Sequence, residues 1–555
     1  MNLSRRRFAQ ASFAALAAAG CDRLGVARDI IIHGGPIYTG VPNRPRVEAL
    51  RIRDGRIAFA GALADARSVG ARAEMIDLRG AAALPGFTDS HVHLTGVGLQ
   101  AMSLDLVGVE SIAALQERLR TYAQQHPEGP IYGRGWIETH WPERRFPNRG
   151  DLDAVVNNRV VVLERIDGHA VVANSAALAL ANINDTTPNP SGGSIERDRT
   201  GAATGMLIDN ADALVMSRLP PPTAEMQRDA LKQAAQLYAQ RGWTGISNVS
   251  TSAAELANFV DLARTGEMPL HASLYLDPGD SDDLHQRGAY ADDTGLVHVR
   301  GVKLYMDGAL GSRGAALLAP YSDAHSDGLL VTEPDVLRAQ LQRAREANLQ
   351  VATHAIGDRG NRMVLDMYRD TFADAPDALR AARWRIEHSQ ILSLEDIPRF
   401  ARMGVIASMQ PSHAISDLHF APARLGPNRL SGAYPWKALL DSGAVIAAGT
   451  DAPVEKGDPL IEFYAASYRH DLQGFAGPDW HLEETVSRDQ ALRMLTWGGA
   501  FAAFEENERG VLDTGKVADI SVFSVDLMEA EPAQIPTARA VLTVSNGRIT
   551  HNALG

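Results

Sequence analysis

The 555-residue sequence predicts an α/β fold: a (β/α)8 TIM barrel, a composite β-sandwich formed from both chain ends, and a subdomain inserted after the first barrel strand. Three observations carry the prediction. Eight short apolar runs alternate with helical stretches, strand-and-turn segments of one texture stand at both ends, and a stretch too long for a loop interrupts the alternation after the first run.

The first segment, residues 1–21, reads as an export signal rather than as part of the fold. "SRRRFAQ" precedes the Ala-rich "ASFAALAAAG" and then Cys21. Three arginines, a short apolar region and small residues before a cleavage point are the parts of such a signal, and the apolar run is too short to span a bilayer. Arg5 and Arg6 followed by Phe8 resemble the twin-arginine signal, which implies the twin-arginine export machinery as a partner and a periplasmic or other extracytoplasmic location. "AAGC" is similar to a lipoprotein cleavage box, so Cys21 is expected to be a lipid-attachment point that anchors the protein to a membrane. Cys21 is also the one cysteine of the chain, which rules out an internal disulfide and a thiolate metal site.

Residues 28–83 and 506–555 are expected to build the β-sandwich. "DIIIHGGPIYTG", "VEALRIRDGRIAFAG" and "AEMIDLRGAA" are short apolar runs punctuated by Gly and Asp-Gly, the pattern of antiparallel strands. "VADISVFSVD" and "ARAVLTVSNGRITHN" repeat it near the other end, with an Asn-Gly turn at Asn546–Gly547.

Between them, residues 84–505 read as the barrel. Its strands are expected in "AALPGFTDSHVH", "TGISNVS", "LHASLYLD", "RGVKLYMDG", "LQVATHAIG", "RWRIEHSQ", "GVIASMQPS" and "GAVIAAGTDAP". Such runs suit a parallel sheet buried on both faces. Ser487 and Gln490 form a capping box opening the last helix. Residues 95–220, with the aromatic "GRGWIETHWPERRFP" and the Gly/Pro-rich "TTPNPSGGSIERDRTGAATG", are the expected insertion over the barrel mouth.

Composition bounds the partners. Hydrophobic residues make up 45% and charged residues 22%, the mix of an ordinary globular protein. A net charge of −13 without a basic patch excludes nucleic acid as a partner and leaves a small-molecule substrate, with oligomeric state open.

The chemistry lies where polar residues close the strands. In "LPGFTDSHVHL", His91 and His93 stand two apart, so on an extended strand both imidazoles share a face about 7 Å apart along the chain. Lys303 lies on the fourth strand, His354 ends the fifth, His388 the sixth, and Asp451 the eighth. Barrel sites form at the carboxyl ends of strands, and a polar ring there costs burial energy unless it binds something.

"GFTDSHVH", "EH", "GTDAP" and "GKVADISVF" together resemble the metal-dependent amidohydrolase superfamily; "GVKLYMDGALGSRGA" and "THAIGDRGN" are similar to its amidohydrolase-3, or YtcJ-like, branch, which includes N-substituted formamide deformylase. The resemblance implies that His91 and His93 bind one divalent metal ion, His354 and His388 a second, and Lys303, as a carbamate, bridges them. It implies Asp451 as metal contact and general base. A histidine-rich set with two anionic oxygens suits Zn2+. A one-metal site of the deaminase type, using histidines and Asp451 without the lysine, stays open.

Trp136, His140, Arg165 and His169 in the insertion, and Asp307, Arg313, Gln410 and His413 on barrel loops, either line the substrate pocket or fold as a lid that never meets substrate. The expected function is hydrolysis of a non-peptide C–N bond in an amide, formamide or cyclic amide, by metal-activated hydroxide. Its alternatives are a deaminase or an ester or phosphoester hydrolase on the same scaffold, or a non-catalytic exported binding or regulatory protein.

Overall fold

The computed structural model describes residues 29–555 other than 71, 139–140, 166–169 and 191–192, and of Asp209 the backbone alone. The export signal, Cys21, His140 and His169 lie outside the described residues. Two compact units are present, Thr95–Ala234 and the remainder of the described chain.

In the larger unit eight parallel strands follow one another: β1 (Phe87–Val92), β2 (Trp243–Thr251), β3 (His271–Leu276), β4 (Val297–Tyr305), β5 (Gln350–Ala355), β6 (Arg385–His388), β7 (Ile406–Met409) and β8 (Ile446–Ala448). Their order in the sheet is their order in the chain, and the eighth returns to the first. Val92 and Ala452 form a parallel bridge there, supported by Asp451 N–H to the His91 carbonyl (2.7 Å) and His93 N–H to the Ala452 carbonyl (2.9 Å). Every residue of β1, β3, β6 and β7 is buried, as in a parallel sheet covered on both faces, and in β1 and β6 those buried residues include Asp89, His91, Arg385, Glu387 and His388. Ser487 accepts from Gln490 N–H and the Gln490 side chain from Ser487 N–H, closing the capping box of helix Arg488–Arg493.

Strands from the two chain ends share one eight-stranded sheet. Ile520–Phe523 pairs antiparallel with Ala82–Pro85, joining Ala540–Ser545 and Arg548–Asn552 on one side to Ile30–Tyr38, Arg46–Arg53 and Arg56–Gly61 on the other. Its core takes Ile32, Ile37 and Leu50 from one end and Ile520, Val522 and Leu542 from the other. Asp54–Gly55 and Asn546–Gly547 both have positive φ at each residue, the backbone a tight two-residue hairpin demands.

The run "AALPGFTDSHVH" is two strands, not one. Ala82–Pro85 belongs to the terminal sheet and Phe87–Val92 to the barrel, with Gly86 between them. A Cβ at Gly86 would stand 2.3 Å from Thr244 Oγ1 and 2.7 Å from Asp519 Cβ, so the chain crosses there only without a side chain.

The unit Thr95–Ala234 has its own six-stranded sheet, with Ile131–Trp136, Val161–Arg165, Ala170–Ala173 and Ala203–Asp209 adjacent in that order. Leu104, Leu115, Trp136, Leu163 and Val172 pack in its core.

Candidate metal centre

The carboxyl ends of β1, β6 and β8 bring His91, His388 and Asp451 together. One ligand atom from each lies within 4.8 Å of the others, and all three residues are buried. Asp451 Oδ1 is 3.3 Å from His91 Nε2 and 3.4 Å from His93 Nε2, while Oδ2 is 3.7 Å from His413 Nε2. The His354 and His388 rings are 4.4 Å apart by centroid, and His388 and His91 are 4.7 Å apart. Lys303 is buried, 1% exposed, on β4.

Backbone geometry aims two of these groups. His388 has φ 74° and Asp451 φ 58°, positive values that cost a non-glycine residue about 1–3 kcal/mol and cluster at functional sites. At Asp451 the turn is tied down by Asp89, whose carboxylate accepts from Thr450 N–H (2.9 Å) and Thr450 Oγ1 (2.6 Å).

The hydrogen bonds set the tautomers. His91 Nδ1 is 2.6 Å from Glu387 Oε2, and an ionised carboxylate only accepts, so Nδ1 carries the proton and Nε2 the lone pair. Burial alone would raise the Glu387 carboxyl, yet Arg385 and His91 hold it well below the usual carboxylate range. His388 Nδ1 faces Gln410 Oε1 at 2.9 Å, which likewise leaves Nε2 free to coordinate. Nε2 of His91 and Nε2 of His354 are buried without a hydrogen-bond partner. Buried, unused lone pairs around a carboxylate fit a divalent cation, because each would otherwise cost its desolvation.

Burial keeps the histidines in the ligand form. It pulls His354 down to about 3, reinforced by Lys303, and His388 well below its ordinary value. Both are therefore neutral at pH 7, the form that binds metal. Burial lowers Lys303 to about 8, against the opposing pull of Glu387 and Asp451. At Asp451 burial works upward, but His91 and His93 outweigh it and keep the carboxyl ionised.

Several residues expected at the pocket wall have other tasks. Trp136 is fully buried inside the Thr95–Ala234 core, its indole N–H donating to the Leu163 carbonyl at 2.9 Å, so it packs and has no face for substrate. Arg165 is engaged by Glu138 in the same unit, at 2.9 Å. Asp307 accepts backbone N–H groups from Ala316 (2.8 Å), Ile356 (2.9 Å) and Gly357 (2.9 Å), stitching a loop to the turn beyond β5; burial lifts its carboxyl to about 7 despite those bonds. Arg313 forms an ion pair with Asp323 at 2.9 Å. Gln410 orients His388. Of the described barrel-loop positions, His413 is the one set against Asp451 with both ring nitrogens buried and unpartnered.

Glu387 and Arg385 are the residues that sequence reading missed. The available signal was "RIEH": opposite charges two apart on an otherwise buried strand must share a face, and must be paired to be buried at all.

Comparison with known proteins bears directly on this centre. A family profile described as the amidohydrolase family matches residues 74–551. The amidohydrolase YtcJ of Bacillus subtilis (strain 168) is 33% identical over 530 residues, spanning 94% of this chain and 99% of that protein. N-substituted formamide deformylase of Arthrobacter pascens is 28% identical, across 95% of this chain and 99% of the relative. An uncharacterized metal-dependent hydrolase from Pyrococcus horikoshii OT3 superposes with a TM-score of 0.75 at 28% identity, covering 91% of this chain and 99% of that one. The buried histidines and aspartate thus sit in a chain that, matched from its first sheet to its last, belongs to the amidohydrolase family, in its amidohydrolase-3 branch.

Proposed function

We propose that the protein is an exported, metal-dependent hydrolase that cleaves a non-peptide C–N bond in a small amide, formamide or cyclic amide. The observation that carries this reading is the convergence of His91, His388 and Asp451 with ligand atoms inside 4.8 Å. The name of the Arthrobacter relative, a formamide deformylase, supports the substrate class. His91 and His93 would hold one ion and His354 and His388 another, with Lys303 as a carbamate between them and zinc favoured by the nitrogen-rich set. A divalent ion bound there supplies Lewis acidity, polarising a carbonyl and making water acidic enough to furnish hydroxide near neutral pH.

The remaining chemistry belongs to the chain. Asp451 takes the proton of the attacking water and returns it to the leaving nitrogen. Its two oxygens face different groups, Oδ1 the β1 histidines and Oδ2 His413. His413 stands against the Asp451 oxygen that the β1 histidines leave free, within reach of a group bound beside that oxygen.

A second reading, a one-metal deaminase, would use the same three-residue cluster without a ligand from Lys303. The test is a screen of zinc-loaded protein on N-formyl, N-acyl, lactam, amino-heterocycle, ester and phosphotriester compounds. Turnover of N-formyl or N-acyl compounds is expected. Turnover confined to amino-heterocycles would favour the deaminase, and turnover confined to esters or phosphotriesters would overturn C–N specificity.

Export rests on the amino-terminal motif. Lysines at Arg5 and Arg6 should strand precursor in the cytoplasm, and Cys21→Ser should release the exported protein from the membrane, both read by fractionation. Unchanged export or unchanged membrane attachment would count against the respective claim.

A further inference from the structure

Nδ1 of His91 and Nδ1 of His388 both have partners, but the groups behind the two rings differ in kind. His388 leans on a neutral amide, Gln410. His91 leans on a carboxylate that is itself buried, 0% exposed, and bound to an equally buried guanidinium. Arg385 donates to both oxygens of Glu387, with Nη2 2.9 Å from Oε2. It also donates to the Ser90 carbonyl, beside His91 on β1, to the Ser408 hydroxyl on β7, and to the Tyr275 hydroxyl on β3 at 3.4 Å. β1 and β6 are not neighbours in the sheet, so these contacts cross the barrel interior.

Packing alone is a poor reason for such a pair. A buried salt bridge is often no more stabilising than apolar side chains of similar volume, whereas a buried pair lacking one partner is strongly destabilising. What apolar side chains could not do is receive the His91 Nδ1 proton. A carboxylate at that nitrogen fixes tautomer and ring plane together and makes the opposite nitrogen a stronger donor.

We infer that Glu387, fixed by Arg385, is the positioning residue of the metal centre: it locks His91 with the proton on Nδ1 and strengthens Nε2 as a ligand. The inference rests on the metal-dependent reading above. It adds an asymmetry, with the β1 ligand charge-assisted and the β6 ligand held by a neutral amide.

The experiment measures zinc affinity of the purified protein by competition with a chromogenic chelator, alongside the visible spectrum of the cobalt-loaded form. Glu387→Gln should bind zinc about 10–100-fold more weakly, the usual loss when such an outer partner is removed. Its cobalt spectrum should shift. That substitution also strands the Arg385 charge, so the double variant Arg385→Met/Glu387→Gln, which removes both charges, is measured in parallel. It should fold and keep the weakened affinity. Ser408→Ala removes one contact of Arg385 and none of His91; it should change thermal stability while leaving zinc affinity at the wild-type value. Wild-type affinity in Glu387→Gln or in the double variant would overturn the inference, as would an equal loss in Ser408→Ala. Failure of the wild-type protein itself to bind zinc would instead bring down the metal-dependent reading.

Discussion

Both ends of the barrel bury ionisable groups, and they use them in different ways. At the amino end Glu505 gathers Arg509, Arg300 (3.1 Å) and His298, and Asp519 faces His271 at 3.3 Å. Arg509 reaches Thr88 at the start of β1, 2.7 Å away. Burial would raise the Glu505 carboxyl, but Arg509 and His298 hold it well below its ordinary value. Each carboxylate there has a base against it. At the carboxyl end, the Nε2 atoms of His91, His354 and His413 are just as buried and have no hydrogen bond, although carboxylate oxygens of Asp451, Asp307 and Asp451 stand 3.3, 3.8 and 3.7 Å from them. Neither burial nor a missing hydrogen bond marks the site by itself, since Arg300 Nε, Arg509 Nη2 and Asp519 Oδ2 lack one too; clustered imidazole lone pairs, which a cation can take, mark it. Closed charge pairs fasten a scaffold, and open lone pairs at the strand ends await a ligand.

The sharpest break of that contrast is Asp451→Asn. The amide is nearly isosteric but cannot take a proton from water at neutral pH, so kcat should fall about 10²–10⁴-fold or more. Metal content, held by the histidines, should stay near the wild-type value by elemental analysis. Substantial turnover would remove Asp451 from the role of base.

Lys303→Ala comes next, because it distinguishes a bridging ligand from an interior lysine. Loss of a carbamate shared by two ions should lower metal content from about two per chain toward one or none, with partial recovery of activity in acetate. Unchanged metal content, with acetate inert, would make Lys303 structural and move the centre toward the one-metal form.

The amino end should answer differently. Glu505→Gln leaves Arg509 and Arg300 without their carboxylate, and removing one partner of a buried pair costs about 3–5 kcal/mol. Chemical denaturation should register that loss while zinc content and kcat per folded molecule hold. A variant that lost metal without losing stability would erase the distinction between the two ends.

Much of this was legible in the sequence where chemistry and periodicity coincide. The barrel stands out through its alternation with helices and through apolar strands such as His271–Leu276 and Ile406–Met409, and His91, His388 and Asp451 are conspicuous as metal-binding residue types where strands end. The break at Gly86 was hidden, since both strands it separates are apolar and the reason for the break, Thr244 and Asp519 pressing on a missing side chain, lies far away in the chain. Trp136 misled for a related reason. An aromatic residue in a polar, Gly-rich stretch reads equally as pocket wall or as core, and only the sheet of the Thr95–Ala234 unit shows that its face is inward. Asp307 and Gln410 were recognised as polar loop residues, but their hydrogen-bond partners are tertiary.

A third ion cluster, at strand ends of the terminal sheet, where Asp29 and Arg51 are buried and Arg53 is partly exposed, tests what pairing weighs away from the barrel. Asp29 receives Arg53 Nη2 at 2.6 Å and Arg51 Nε at 2.7 Å, and the Arg53 side chain is 38% exposed. The Arg53 hydrogen bond, joined by that of Arg51 and opposed by burial, lowers the Asp29 carboxyl from 3.8 to about 2. The folded protein therefore binds the Asp29 proton less readily than the unfolded chain does. The cluster's contribution is present in full above the ordinary carboxylate range and is lost as pH falls from about 4 toward about 2. Asp29→Asn should accordingly lower Tm modestly at pH 6, and the gap from wild type should narrow steadily on acidification. Salt should narrow it too, since a half-exposed guanidinium is screened as a buried one is not. A gap that stays constant from pH 6 to pH 3 in both low and high salt would mean that Asp29 acts through packing. The weight of an ion pair in this protein would then follow from shape in the terminal sheet and from charge only in the barrel.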